Sequence, residues 1–201
     1  MTGAGTSVRF TGQRQPHNLS IAAAGTVSIS TEALSVGNNL TVNLGATFST
    51  NSFALEVSGI LSASGTLAAS GTEIITALGN VDFSAAGNNF TQASSTVVMQ
   101  GAGSTLNAPQ ETFYNLSFNA AGTVALSSLI TAGNDLSISL GATLNSANNN
   151  IGVSGDWSNA GSFTAGTGTV SFAGAGTSII SGTTAFNNFS CLTPGKVLQF
   201  T

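Results

Sequence analysis

HNLSIAAAGTVSISTEALSVGNNLTVNLGATFSTNSFALEVSG (residues 17–59) returns downstream as YNLSFNAAGTVALSSLITAGNDLSISLGATLNSANNNIGVSG (114–155). Asn18 answers to Asn115 and Gly25 to Gly122, 97 residues apart; Gly45 answers to Gly141 and Gly59 to Gly155, 96 apart. One residue is therefore lost inside the unit. A second match overlaps the first: TFYNLSFNAAGTV (112–124) falls on AFNNFSCLTPGKV (185–197). Upstream of it Val97–Gly101 falls on Val170–Gly174, with a third copy of that short strand at Val8–Gly12. From Gly12 the chain passes directly to Asn18, where the later copies spend about eight more residues. Units that recur, slip and tolerate such changes in length point to a stack of coils, in which each coil mainly meets its neighbours.

Between the turn signals, apolar and small polar residues alternate, as half-buried strands require. Clear cases are Leu19-Ser20-Ile21, Val27-Ser28-Ile29, Leu40-Thr41-Val42-Asn43-Leu44, Leu55-Glu56-Val57, Val81-Asp82-Phe83, Val124-Ala125-Leu126, Leu136-Ser137-Ile138-Ser139-Leu140 and Val170-Ser171-Phe172. Ile138 is expected to point inward and Ser137 outward. Gly and Asn fill the corners, where positive φ is tolerated. No apolar stripe of helical spacing runs for three turns. The reading is all-β, a parallel β-helix (β-solenoid) of about ten coils with no significant helix, continuous over residues 1–201 and containing related units at about 5–100 and 101–201. Residues 60–80 depart from the repeated unit. Because residues 2–10 resemble 164–172, the chain reads as a slice of a longer repeat protein that opens and closes inside a repeat. Met1 is read as an addition, and any secretion signal as lying beyond the slice.

Composition narrows the function classes. Only 5% of the residues are charged and 41% are hydrophobic, with a net charge of −4. Three basic side chains cannot neutralise a run of phosphates, so neither nucleic acid nor an anionic membrane surface is an expected partner. No run approaches the roughly 20 apolar residues of a membrane-spanning helix. A single Trp and a single Tyr do not supply the aromatic girdles of an outer-membrane barrel.

The acids Glu32, Glu56, Glu73, Asp82, Glu111, Asp135 and Asp156 are scattered singly and read as solvated. Only Glu56 and Asp82, outward in mid-strand, suggest a carboxylate pair across rungs of the kind glycoside hydrolysis uses. His17 reads as a surface histidine, and Cys191, at the place of Ile21 and Phe118, as a small hydrophobe. Trp157, at the place of Leu61, reads as core. The five Asn-x-Ser/Thr sequons, at Asn18, Asn39, Asn89, Asn115 and Asn188, read as strand-entry turns. GAGST (101–105) and GAGTS (174–178) lack the Lys and helix of a phosphate loop and read as turns. No catalytic, cofactor-binding or metal-ligating residue is assigned.

The elements GTVxF/GTVxL, FxNLS, LSISLGATL (136–144) and GDWSNAGSFTAGTGTVSF (155–172) together resemble the β-strand repeats of filamentous-haemagglutinin-like bacterial adhesins and related giant secreted proteins. The resemblance implies a single-stranded, right-handed β-helical shaft displayed at the bacterial cell surface or secreted. It implies in turn a non-enzymatic structural segment, a stiff stalk or filament for adhesion or cell-surface assembly. Its expected partners are further copies or flanking repeats stacked end to end, and surface glycans. The alternative is a carbohydrate-binding or carbohydrate-cleaving β-helix. A minor one is an ice-binding solenoid using outward Thr and Ser rows.

Overall fold

The computed structural model describes residues 6–8, 15–22, 24–87 and 89–201. The copy at Val8–Gly12, the likeness of 2–10 to 164–172 and the stretch after Gly12 lie largely outside them. The described chain is all-β, and every pairing between strands is parallel. Each winding visits three faces in turn. An eight-stranded sheet runs along one face and a nine-stranded sheet along another; the third face is divided into two five-stranded sheets. About nine turns result, close to the ten expected, which at ~4.8 Å per rung makes a rod roughly 40 Å long.

Register puts like on like. On the eight-stranded face Leu19 pairs with Leu40, Leu40 with Leu61, and Leu61 with Val81. On the nine-stranded face Leu116 pairs with Leu136, and Leu136 with Trp157. These inward residues are buried in one continuous core, each aliphatic side chain contributing roughly 1.5–3 kcal/mol on burial. Residues 60–80, irregular by sequence, form an ordinary coil with strands Leu61–Ala63, Thr66–Ala68 and Ile74–Ala77. The departure lies further on: Val81 pairs with Leu106, a step of 25 residues where neighbouring steps are 20 or 21.

Two apolar positions expected inside are outside. Leu44 is 82% exposed and Leu140 88%. Their strands end at Val42 and Ile138. The next four residues make a tight turn: Ala46 N–H donates to Asn43 C=O and Ala142 N–H to Ser139 C=O, each at 3.0 Å. Gly45 (φ 80°) and Gly141 (φ 84°) take the third place of that turn, which needs positive φ. The leucine before each glycine sits at the turn's tip, and the alanine after it returns to the core.

The repeated unit does not stack on itself. Leu19–Ile21 lies on the eight-stranded face, whereas its copy, Asn115–Phe118, lies on the nine-stranded face. Leu34–Val36 lies on the nine-stranded face and its copy Ile130–Ala132 on the third. The copy begins fourteen strands later, and three strands make a turn, so the unit recurs after four and two-thirds turns. The second match behaves alike: Asn115–Phe118 moves from the nine-stranded face to the third face as Asn188–Cys191. One module thus serves any face.

Close stacking also fixes where glycine is required. A Cβ on Gly101 would lie 2.0 Å from the carbonyl oxygen of Leu78 in the coil before it. Gly101→Ala is expected to lower stability by about 1–3 kcal/mol through forced backbone displacement, read as a lower midpoint in urea unfolding.

Candidate functional site

The one carboxylate pair suggested by the sequence is not assembled. Glu56 lies on the nine-stranded face and Asp82 on the eight-stranded one. Glu56 instead accepts from Ser35 Oγ at 3.2 Å, and Asp82 from Ser84 N–H at 3.1 Å and Asn107 Nδ2 at 3.3 Å.

Most of the acids hold the backbone together. Asp135 Oδ1 accepts the N–H of Asp156 at 2.8 Å, and Asp156 Oδ1 accepts that of Ile179 at 2.8 Å. Asn115 Oδ1 starts this corner ladder by accepting Asn134 Nδ2 at 2.8 Å and Asp135 N–H at 3.3 Å. The first copy of the unit builds the same device one face away. There Asn18 Oδ1 accepts Asn38 Nδ2 at 2.9 Å and Asn39 N–H at 3.2 Å, and Asn39 Oδ1 accepts Ile60 N–H at 2.8 Å. Each side-chain oxygen supplies a corner N–H one coil further on, where the chain turns and the ladder is interrupted. The sequons at Asn18, Asn39 and Asn115 are thus strand-entry corners, as expected from the sequence.

Two acids read as solvated are buried, and the reason is the same need for acceptors. Glu73 accepts from Ser70 N–H and Gly71 N–H, each at 2.8 Å, and from the hydroxyl of Thr50. Burial raises its pKa, but these donors together outweigh that and hold it below its ordinary value of 4.5. A lowered folded-state pKa contributes stability that is complete above the unfolded value and disappears as pH falls through the folded one. Thermal melts of the wild type are therefore expected to drop as pH falls below 4.5, and those of Glu73→Gln to drop less over the same range.

Glu111 sits where the third face divides. Strand Phe90–Thr91 ends one five-stranded sheet and Thr112–Phe113 begins the other. In place of a strand-to-strand ladder, the buried Glu111 carboxylate accepts Asn89 N–H at 2.6 Å and Phe90 N–H at 3.2 Å. Below it Phe83, Phe90 and Phe113 stack with ring centroids 5.7 and 5.5 Å apart. This seam falls between the two related units of the sequence. Glu73 and Glu111 share one sequence signal: each immediately precedes a strand, at a corner.

The remaining candidates are structural or superficial. Trp157 is wholly buried, its Nε1 donating to Thr184 Oγ1 at 3.0 Å and its ring edge-on to Phe163 and Phe186. His17 is exposed. Cys191 is a free, half-buried thiol against the core. Gly101–Thr105 contains a turn closed by Ser104 N–H to Gly101 C=O at 3.3 Å. A shallow groove of about 400 Å³ crosses the nine-stranded face between Thr96, Ser117, Ser137 and Ser158, with Asp135 and Asp156 at its corner. Comparison of the chain with family models, curated proteins and solved structures found no match.

Proposed function

We propose that this chain is a structural rod: a non-enzymatic β-solenoid segment of an extracellular bacterial surface protein, serving as a stalk or filament in adhesion or cell-surface assembly. The observation that carries the reading is the employment of its polar groups. Glu73, Asp82, Glu111, Asp135 and Asp156 each spend a carboxylate oxygen on a backbone N–H, so the functional groups of the chain serve the cohesion of its windings. The rotation of the repeat supports the same reading. A face-built binder gains from one uniform outward row, whereas this unit shows its pattern to three sides in succession and the outward row of the nine-stranded face mixes Ser35, Glu56, Thr76 and Val98 with Ser117, Ser137 and Ser158. That counts against an ice-binding face. For the carbohydrate alternative, the groove over Ser117 and Ser137 is the surface in question, but the large aromatic that would stack on a sugar, Trp157, is turned into the core. The rod's partners in this reading are further coils of the same repeat meeting its ends, with surface glycans bound elsewhere on the parent protein.

Pulling single molecules from their two termini tests the reading. A stalk of stacked windings is expected to lengthen in increments of about 7 nm, one coil of roughly twenty residues at a time. Micromolar binding on a glycan array, or release of saccharide from a polysaccharide, would instead favour the carbohydrate reading.

A further inference from the structure

We propose that the seam of the third face is a one-sided hinge, at which the rod bends between its two related units by opening that face and pivoting on the opposite corner. The hinge needs only the stacked windings and would hold for a rod of any use.

Pairing across this level of the rod differs from face to face. On the nine-stranded face Ile74–Ala77 pairs along its whole length with Thr96–Met99. On the eight-stranded face Val81 and Asp82 pair with Leu106 and Asn107. On the third face two columns in register meet without joining. Ser49, Ala68 and Thr91 form one, and Thr112, Thr131, Gly152 and Ser171 the other; among the described residues no strand pairing links Thr91 to Thr112. The Glu111 carboxylate, on two N–H groups, and the ring contact of Phe90 with Phe113 stand in for the ladder. A side chain follows a displaced partner by turning about its own bonds, and aromatic rings pack in more than one arrangement. Neither fixes the spacing of two windings as a backbone ladder does.

The closed seam also carries a cost. Asn89 is 2% exposed and its Oδ1 has no donor; the buried Oε1 of Gln92 has none either. The two residues flank the strand Phe90–Thr91, which borders the seam. Gln92 lies along the gap, since a Cβ on Gly133, beyond Thr112, would stand 3.8 Å from its Nε2. A buried acceptor without a donor raises the free energy of the closed form, and water removes that cost when the face opens.

The corner between the nine- and eight-stranded faces supplies the pivot. There Gln100 N–H donates to Ala77 C=O at 2.8 Å. Gly101 sits on the Leu78 carbonyl with no room for a Cβ. Windings already in contact cannot approach further, so the bend runs one way, with the third face on its outer side. Such a hinge is a few residues between two bodies that each stay rigid.

Spin labels in a Cys191→Ser background read the bend. Ser49→Cys with Ser171→Cys places two labels on the third face, astride the seam. Ser35→Cys with Ser158→Cys places two on the nine-stranded face at the same separation of six rungs, ~29 Å. Double electron–electron resonance on the frozen full chain is expected to give a third-face distance distribution about twice as broad as the nine-stranded one, with its tail toward longer distances. Glu111→Ala is expected to broaden the third-face distribution further and to leave the other unchanged. Equal widths on the two faces of the otherwise wild-type chain, or a Glu111→Ala broadening that is the same on both, would overturn the hinge.

Discussion

Ile138→Asp is expected to unfold the rod, and Ser137→Asp, one residue away, to leave it nearly unchanged. Ile138 is 1% exposed and stacks between Phe118 and Asn159 in adjacent coils. An aspartate there loses the burial of an isoleucine and brings in a charge that no neighbour neutralises. Either loss costs several kcal/mol, and together they exceed about 5 kcal/mol, a large part of what a domain of this size has. Ser137 stands on the outer surface, its Oγ donating to Ser117 Oγ at 3.0 Å. Its replacement exchanges one weak, partly buried hydrogen bond for a charge on the outer surface, a change of about 0.5 kcal/mol. Circular dichroism melts of the two variants compare the two faces of one strand directly. The reverse order would mean that the strand is displaced by one residue.

The second large effect is expected at the seam. Glu111→Ala removes the acceptor of two backbone N–H groups, Asn89 and Phe90, at the place where strand pairing on the third face gives way. Each buried donor left without a partner costs about 1–3 kcal/mol. For a chain of this length the sum corresponds to a fall in Tm of roughly 5–15 °C. Because the seam joins two halves that remain paired along the other two faces, weakening it should also loosen their coupling. Urea unfolding is then expected to broaden or divide into two steps, and hydrogen exchange to quicken at Asn89 and Phe90 before the ends are affected. Glu111→Gln, which keeps one carbonyl acceptor, should fall between wild type and Glu111→Ala. A single sharp transition in Glu111→Ala with unchanged exchange at Asn89 would show that the carboxylate does not hold the seam.

Much of this architecture could be read from the residues because one force, burial of alternating apolar side chains, acts locally in every strand. Leu40-Thr41-Val42 and Leu136-Ser137-Ile138 needed only their period to be placed. Leu44 and Leu140 continue that period but are not in the strand. The glycine that comes after each of them allows a turn that ends the alternation, and hydrophobicity alone does not register a turn. The rotation of the repeat was hidden for a different reason. Similar sequence marks a similar local module, and a strand of Leu-Ser-Ile type is equally at home on all three faces. The face is decided by the number of strands between copies, which becomes countable only when every strand is located. Glu73 and Glu111 were misplaced because a carboxylate on its own prefers water. Burial becomes favourable only when a corner leaves several donors converging on one point: both N–H donors to Glu111 come from a coil about twenty residues away, and at Glu73 the local N–H groups of Ser70 and Gly71 are joined by the Thr50 hydroxyl of another coil.

Cross-linking tests the stacking of windings most directly. In a Cys191→Ser background, Ser117→Cys with Ser137→Cys places two thiols on adjacent rungs in direct register. Ser117→Cys with Ser158→Cys places them two rungs apart, at ~9.6 Å and beyond disulfide reach. The expected result is rapid, complete disulfide formation in the first pair and none in the second. Failure of the first pair to link, or equal linking of both, would contradict a fold built of parallel coils laid one upon the next.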